Sequence, residues 1–233
     1  MKEKVFIVPE GTKVITRGTI PRDVTKVVIP DTVIEIGGEA FDSCKDLSEI
    51  SIPNSVIEIG VCAFYHCKSL TKVVIPNSVI TLGDGMFDGC ITLKEIIIPD
   101  NFKEICNDMF YNCERLVNIR IPNGVTKICS GAFYNCKNLV SVTLPDTLKK
   151  IHDYAFFECK NLTDINIPNG VVSIGEKAFY GCTSLNNITI PESVVSIGDK
   201  AFFNTGTNAI SIQYSKVSRI RTKFYGISNN EGE

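Results

Sequence analysis

Residues 67–90 read CKSLTKVVIPNSVITLGDGMFDGC, and this stretch, compared with its neighbours on either side, decides the fold. A step of 23 residues from Pro76 lands on proline in both directions: Pro30 and Pro53 before it, Pro99, Pro122, Pro145, Pro168 and Pro191 after it. The same step from Phe87 gives Phe41, Phe64, Phe110, Phe133, Phe156, Phe179 and Phe202. From Cys90 it gives Cys44, Cys67, Cys113, Cys136, Cys159 and Cys182. Three residue types held in register over so many periods identify a solenoid, whose units bury their apolar faces only against one another.

Within one unit, Leu47, Ile50 and Ile52 carry the pattern of a strand, and Pro53 removes a backbone donor and ends its ladder. A turn-forming residue follows each proline, as at Asn54, Asn77 and Asp100. Val56, Ile59 and Gly60 mark a second short extended piece. Ala63, Phe64, Cys67 and Leu70 then have the spacing of one helical face, which predicts a short helical turn. With strands stacked about 4.8 Å apart, eight layers span roughly 40 Å. Strands pack more closely than bulky helical turns, so the coil is expected to bend with its strands on the concave side.

Residues 1–29 form a degenerate first unit in which Thr16 to Pro21 replaces the Ala-Phe-x-x-Cys half, as an N-terminal cap requires. Residues 30–213 form the solenoid of 23-residue units. Residues 214–233 read as a half-unit cap, with Lys216, Arg219, Arg221 and Lys223 as a solvated basic face, and a polar tail.

Composition narrows the function. Lys and Arg number 24 against 26 Asp and Glu, a net charge of −2 that argues against a general nucleic-acid binder. No apolar run approaches the about 20 residues of a membrane span, so no membrane insertion is expected. Met1 to Pro9 has no apolar stretch of secretory length, which favours a cytoplasmic location, with unconventional export to the cell surface as the alternative. Of ten cysteines, seven obey the repeat. An odd-numbered column at one internal position reads as reduced, buried core thiols.

The pattern Leu-x-x-Ile-x-Ile-Pro-x-x-Val-x-x-Ile-Gly-x-x-Ala-Phe-x-x-Cys, covering roughly residues 24–212, closely resembles the BspA-like (treponemal-type) leucine-rich repeat. The resemblance implies an α/β repeat solenoid: a right-handed coil with a parallel concave β-sheet and short helical turns on the convex side. It implies a non-catalytic binding role, as in surface adhesins of anaerobic bacteria and repeat proteins of parasitic protists, and neither catalytic residues nor a cofactor. The departures are local. Cys106, Cys129 and His152 take the glycine position, Phe102 and Leu148 the valine position, and Met86 and Met109 the alanine position.

Cys106, Cys129 and His152 are expected to stack in one column, but the ends of that column lie about 10 Å apart by layer spacing, too far for one metal ion. With only His66 and His152 available and no nucleophile or phosphate-binding motif, an enzyme is not expected.

Binding is carried by columns that the repeat leaves free. Val74 and Ile97, with Val117 and Val140 one column away, are expected to form an apolar patch on the concave face, bordered by Lys72, Lys94, Glu95 and Arg120. An apolar centre with a polar rim is the anatomy of a protein interface. The alternative surface is a ridge of Tyr65, Tyr111, Tyr134, Phe157, Tyr180 and Phe203, suited to an adhesin or a sugar-binding scaffold. A protein partner at the concave face, bound by a monomer, is the leading expectation.

Overall fold

The structure, a computed structural model, describes residues 3–206 and 209–212. The basic cluster at Lys216 to Lys223 and the half-unit cap of residues 214–233 lie outside the described residues. The chain forms a parallel β-solenoid of about eight turns, numbered here as coils 1 to 8 from Pro30 to Pro191.

Each coil contributes two short strands to two strips. In coils 2 to 5 the first-strip strands are Glu49–Ile50, Lys72–Val74, Glu95–Ile97 and Asn118–Arg120. The second-strip strands of the same coils are Glu58–Ile59, Thr81–Leu82, Glu104–Ile105 and Lys127–Ile128. Every pairing is parallel, and the 23-residue period sets the register: Lys72 stands opposite Glu95, and Ile128 opposite Ile151. In the N-terminal unit, Val5–Ile7 pairs with Lys26–Val28 and Val14–Ile15 with Glu35–Ile36. At the other end, Ala209 stands opposite Asn187, one residue ahead of the repeat.

The third side departs from the expected helical turns. Among the described residues there is no helix. The residue before each alanine and the residue before each cysteine lie in the left-handed region, as at Cys62 (φ 54°) and His66 (φ 55°), or Asp108 (φ 51°) and Asn112 (φ 57°). A left-handed residue at every fourth position ends a right-handed helix before it completes a turn. The amides divide accordingly. Those of Cys62, Phe64 and His66 donate to the carbonyls of Asp84, Met86 and Asp88 in the next coil, at 2.7–2.9 Å. Those of Tyr65 and Cys67 close tight turns on Cys62 and Phe64 in their own coil. The result is a ladder of tandem turns that keeps the predicted inward spacing: Ala63, Phe64, Cys67 and Leu70 are all fully buried. This side is hydrogen-bonded coil to coil like the strand strips, so the helical bulk from which a concave strand face was argued is absent.

The core runs along the axis. Phe41, Phe64, Phe87, Phe110, Phe133, Phe156, Phe179 and Phe202 stack face to face with ring centroids 5.0–5.9 Å apart. The widest step, 5.9 Å, separates Phe87 from Phe110. There Met86 and Met109 replace alanine and Phe102 replaces valine, all three buried. The added volume interrupts the second strip between Thr81–Leu82 and Glu104–Ile105, whereas the turn ladder continues through Gly85 and Asn107 at 2.8 Å.

Glycine in the column after the second strand follows from close approach. A Cβ on Gly83 would lie 2.2 Å from the backbone nitrogen of Val61. Cys106 occupies the equivalent position in coil 4, where its thiol donates to Leu82 O at 3.5 Å.

Candidate interaction surface

The first strip presents alternate residues to solvent because its backbone is extended and every second side chain points inward. Val73 and Ile75 are buried, while Val74 between them is exposed. Val74 and Ile97 stand opposite one another in the ladder, and in the column three residues earlier the amide of Val140 donates to Val117 O at 2.7 Å. All four side chains are exposed, between 36% and 48%. Lys72 and Glu95 pair across the ladder at 2.8 Å, and Arg120 reaches Asp100 at 3.9 Å. Lys94 is exposed beside them. The sequence-predicted patch residues therefore share one face.

The ridge residues divide into two groups. Tyr111, Tyr134, Phe157, Tyr180 and Phe203 form one stack with centroids 4.5–5.3 Å apart, partly buried over the turn ladder. The inner rings have both faces covered by neighbours and show solvent only their edges. Tyr65 is separated from this stack by Asp88 and instead lies on His66, centroids 3.9 Å apart.

The column of Cys106, Cys129 and His152 offers little chemistry. Cys106 is buried and Cys129 partly so. Burial is the main cause that pushes their thiols up, to about 12 and about 11, so the nucleophilic thiolate is suppressed. His152 Nε2 is buried without a hydrogen-bond partner. Among the described residues no three His, Cys, Asp or Glu side chains are grouped to hold a metal ion.

A second exposed apolar column escaped the sequence reading. Ile34, Ile57 and Ile80 precede the second strand of coils 1 to 3 and are 42%, 46% and 71% exposed. The signal was present: this column changes to Lys103, Thr126 and Lys149 in coils 4 to 6, which marks it as free of scaffold duty.

These features define a leucine-rich-repeat scaffold: a parallel strand solenoid whose period is fixed by its core and whose outward columns vary. The chain belongs to the BspA-type leucine-rich repeat family, whose repeat region matches residues 21–130 and 103–231 in six copies. Among solved structures, a leucine-rich repeat protein from Bacteroides ovatus is 29% identical, with a TM-score of 0.79 over 86% of this chain and 52% of that one. One from Eubacterium ventriosum is also 29% identical, with a TM-score of 0.67 over 74% of this chain and 46% of that one. The Treponema pallidum leucine-rich repeat protein is 34% identical, with a TM-score of 0.61 over 73% of this chain and 76% of that one. The chain thus spans about half the length of the first two. No curated protein matches it.

Proposed function

We propose that the chain is a non-catalytic scaffold that recognises a protein partner through the first strand strip. The observation that carries this reading is the exposure of two apolar pairs on one strand face, Val74 with Ile97 and Val117 with Val140, set among the charged Lys72, Glu95 and Arg120. Exposed apolar side chains interspersed with charged groups are what a protein interface presents. The strands carrying or adjoining each apolar pair are hydrogen-bonded to each other, Lys72–Val74 to Glu95–Ile97 and Asn118–Arg120 to Ser141–Thr143, with a break in the ladder between the two sets, so a partner meets each pair already ordered.

The aromatic ridge supports a sugar-binding adhesin less well. A sugar ring packs on an open aromatic face, and the inner rings here spend their faces on each other. A reducing, cytoplasmic setting belongs to the reading, because column thiols donate their hydrogens to backbone carbonyls and oxidation would remove those bonds.

The test is affinity capture from source-cell lysate with wild type and a Val74→Glu/Ile97→Glu variant, both checked as folded by circular dichroism. A partner that binds wild type in purified form and is lost from the variant supports the reading. Equal binding by both proteins refutes it and turns attention to the ridge.

A further inference from the structure

The second strip carries two like-charge contacts of opposite sign. Glu35 stands directly opposite Glu58 in the ladder, and three coils further along Lys127 stands opposite Lys150. Like charges facing one another across a strand pair oppose pairing. Lys127 is partly relieved by Glu104 at 3.5 Å. Among the described residues, Glu35, Glu58, Lys149 and Lys150 have no ion-pair partner at all. The exposed column of Ile34, Ile57 and Ile80 lies immediately beside the acidic end.

We infer that this face is the contact between two copies of the chain. Consider a two-fold axis lying along the strand direction between coils 3 and 4. It reverses the order of the coils and sets each column against itself, so that coil 1 meets coil 6 of the second copy, coil 2 meets coil 5 and coil 3 meets coil 4. Glu35 then faces Lys150 of the second copy, and Glu58 faces Lys127. By symmetry each pair forms twice, which makes four ion pairs from groups that repel or stand alone in one chain. In the neighbouring column, Ile34 and Ile80 lie against the aliphatic stems of Lys149 and Lys103, where a long charged side chain covers apolar surface and keeps its head in water. Thr81 faces Glu104, so the central coils bring no like charges together.

A self-complementary patch is what an isologous contact requires. Six overlapping coils give a contact about 29 Å long. This is small for a permanent dimer, so association is weak, reversible and sensitive to salt. It takes the place of the monomer expected from the sequence, and it leaves both first strips free for partners.

Sedimentation velocity over a concentration series tests this. Wild type is expected to dimerise at low ionic strength, with the association constant reduced about tenfold or more at high salt or in Glu35→Lys/Glu58→Lys. The fourfold exchange Glu35→Lys/Glu58→Lys/Lys127→Glu/Lys150→Glu keeps the net charge. It is expected to self-associate again yet not to form mixed dimers with wild type, an outcome that general charge attraction does not produce. Wild type that stays monomeric at every concentration at low salt overturns the inference, as does a dimer unaffected by the double substitution. Val74→Glu/Ile97→Glu lies on the other strip and is expected to dimerise like wild type, so failure of the partner-binding reading is separable from failure of this one.

Discussion

The thiol of Cys67 donates to the carbonyl oxygen of Phe41 in the preceding coil, 3.2 Å away. The same bond recurs from Cys90 to Phe64, Cys113 to Phe87, Cys136 to Phe110, Cys159 to Phe133 and Cys182 to Phe156, at 3.0–3.3 Å. Cysteine is the residue for this position because it is small, apolar enough for a core, and still a weak donor. Cys136→Ala is therefore expected to lower stability by about 1–2 kcal/mol through a lost bond and a small cavity. Cys136→Ser, which keeps a donor, is expected to cost less than Cys136→Val, which does not. Urea unfolding midpoints give the order, and a better-tolerated valine would show that the column is only a matter of volume.

Thiol chemistry divides the ten cysteines. The buried column thiols are pushed well above the ordinary range by burial, Cys113 and Cys159 among them. Cys62 and Cys129 are partly exposed. An Ellman-type reagent on the native protein is expected to modify Cys62 and Cys129 first, and the column only on unfolding. Column labelling at the native rate of a surface thiol would contradict the hydrogen-bonded core.

Raised thiols also set the alkaline limit. Above about pH 8.5 an unfolded thiol loses its proton while a buried one keeps it, so the folded state binds more protons and stability falls as pH rises. Each column thiol contributes a loss of up to about 1.4 kcal/mol per pH unit beyond that point. Thermal unfolding between pH 8 and 10.5 is expected to show a steep drop, shallower in Cys136→Ala because one titrating group is gone.

The period, the two strands and the inward residues were legible in the sequence because the core repeats them in register, from Pro30 to Pro191 and from Phe41 to Phe202. The third side was misread for a physical reason. Ala63, Phe64, Cys67 and Leu70 satisfy the spacing of a helical face, and tandem turns with two left-handed residues satisfy it too. Evidence for the second solution lay in the residues before the cysteine position, where Gly89, Asn112, Asn135 and Gly181, and Asn204 before Thr205, are types that tolerate the left-handed region. The isoleucine column was less legible because an isoleucine beside a strand reads as an ordinary strand or core residue, and the exposure of Ile34, Ile57 and Ile80 is what sets it apart.

Where the chain needs glycine is equally specific. Gly83→Ala is expected to cost more than about 3 kcal/mol, since its Cβ would lie 2.2 Å from the backbone of Val61 and no side chain can move to make room. Gly18→Ala has φ +84° but open space, so only the left-handed conformation is penalised, at about 1 kcal/mol. Comparable unfolding midpoints for the two would mean that neighbouring coils separate more easily than their ladders indicate.

Asp88 supplies a pH signature of opposite character from an ordinary surface carboxylate. It stands in the column of Tyr65 and Tyr111, half-buried over the turn ladder, and burial, followed by the nearby Asp108, pushes its carboxyl up to about 6. An unfolded Asp titrates near 3.9. Between about pH 4 and 6 the folded chain therefore holds this proton more tightly than the unfolded chain does. The resulting stability is fully present below about pH 4 and is lost as pH rises through about 6. Because the carboxyl is only half covered, solvent screening reduces the effect to about 1 kcal/mol. Asp88→Asn removes the titration and is expected to melt higher than wild type at pH 7.5, with the difference closing by about pH 4. Melting curves of the two proteins across that range decide it: a constant difference, or one that widens on acidification, would show that Asp88 is stabilised by its surroundings as an anion.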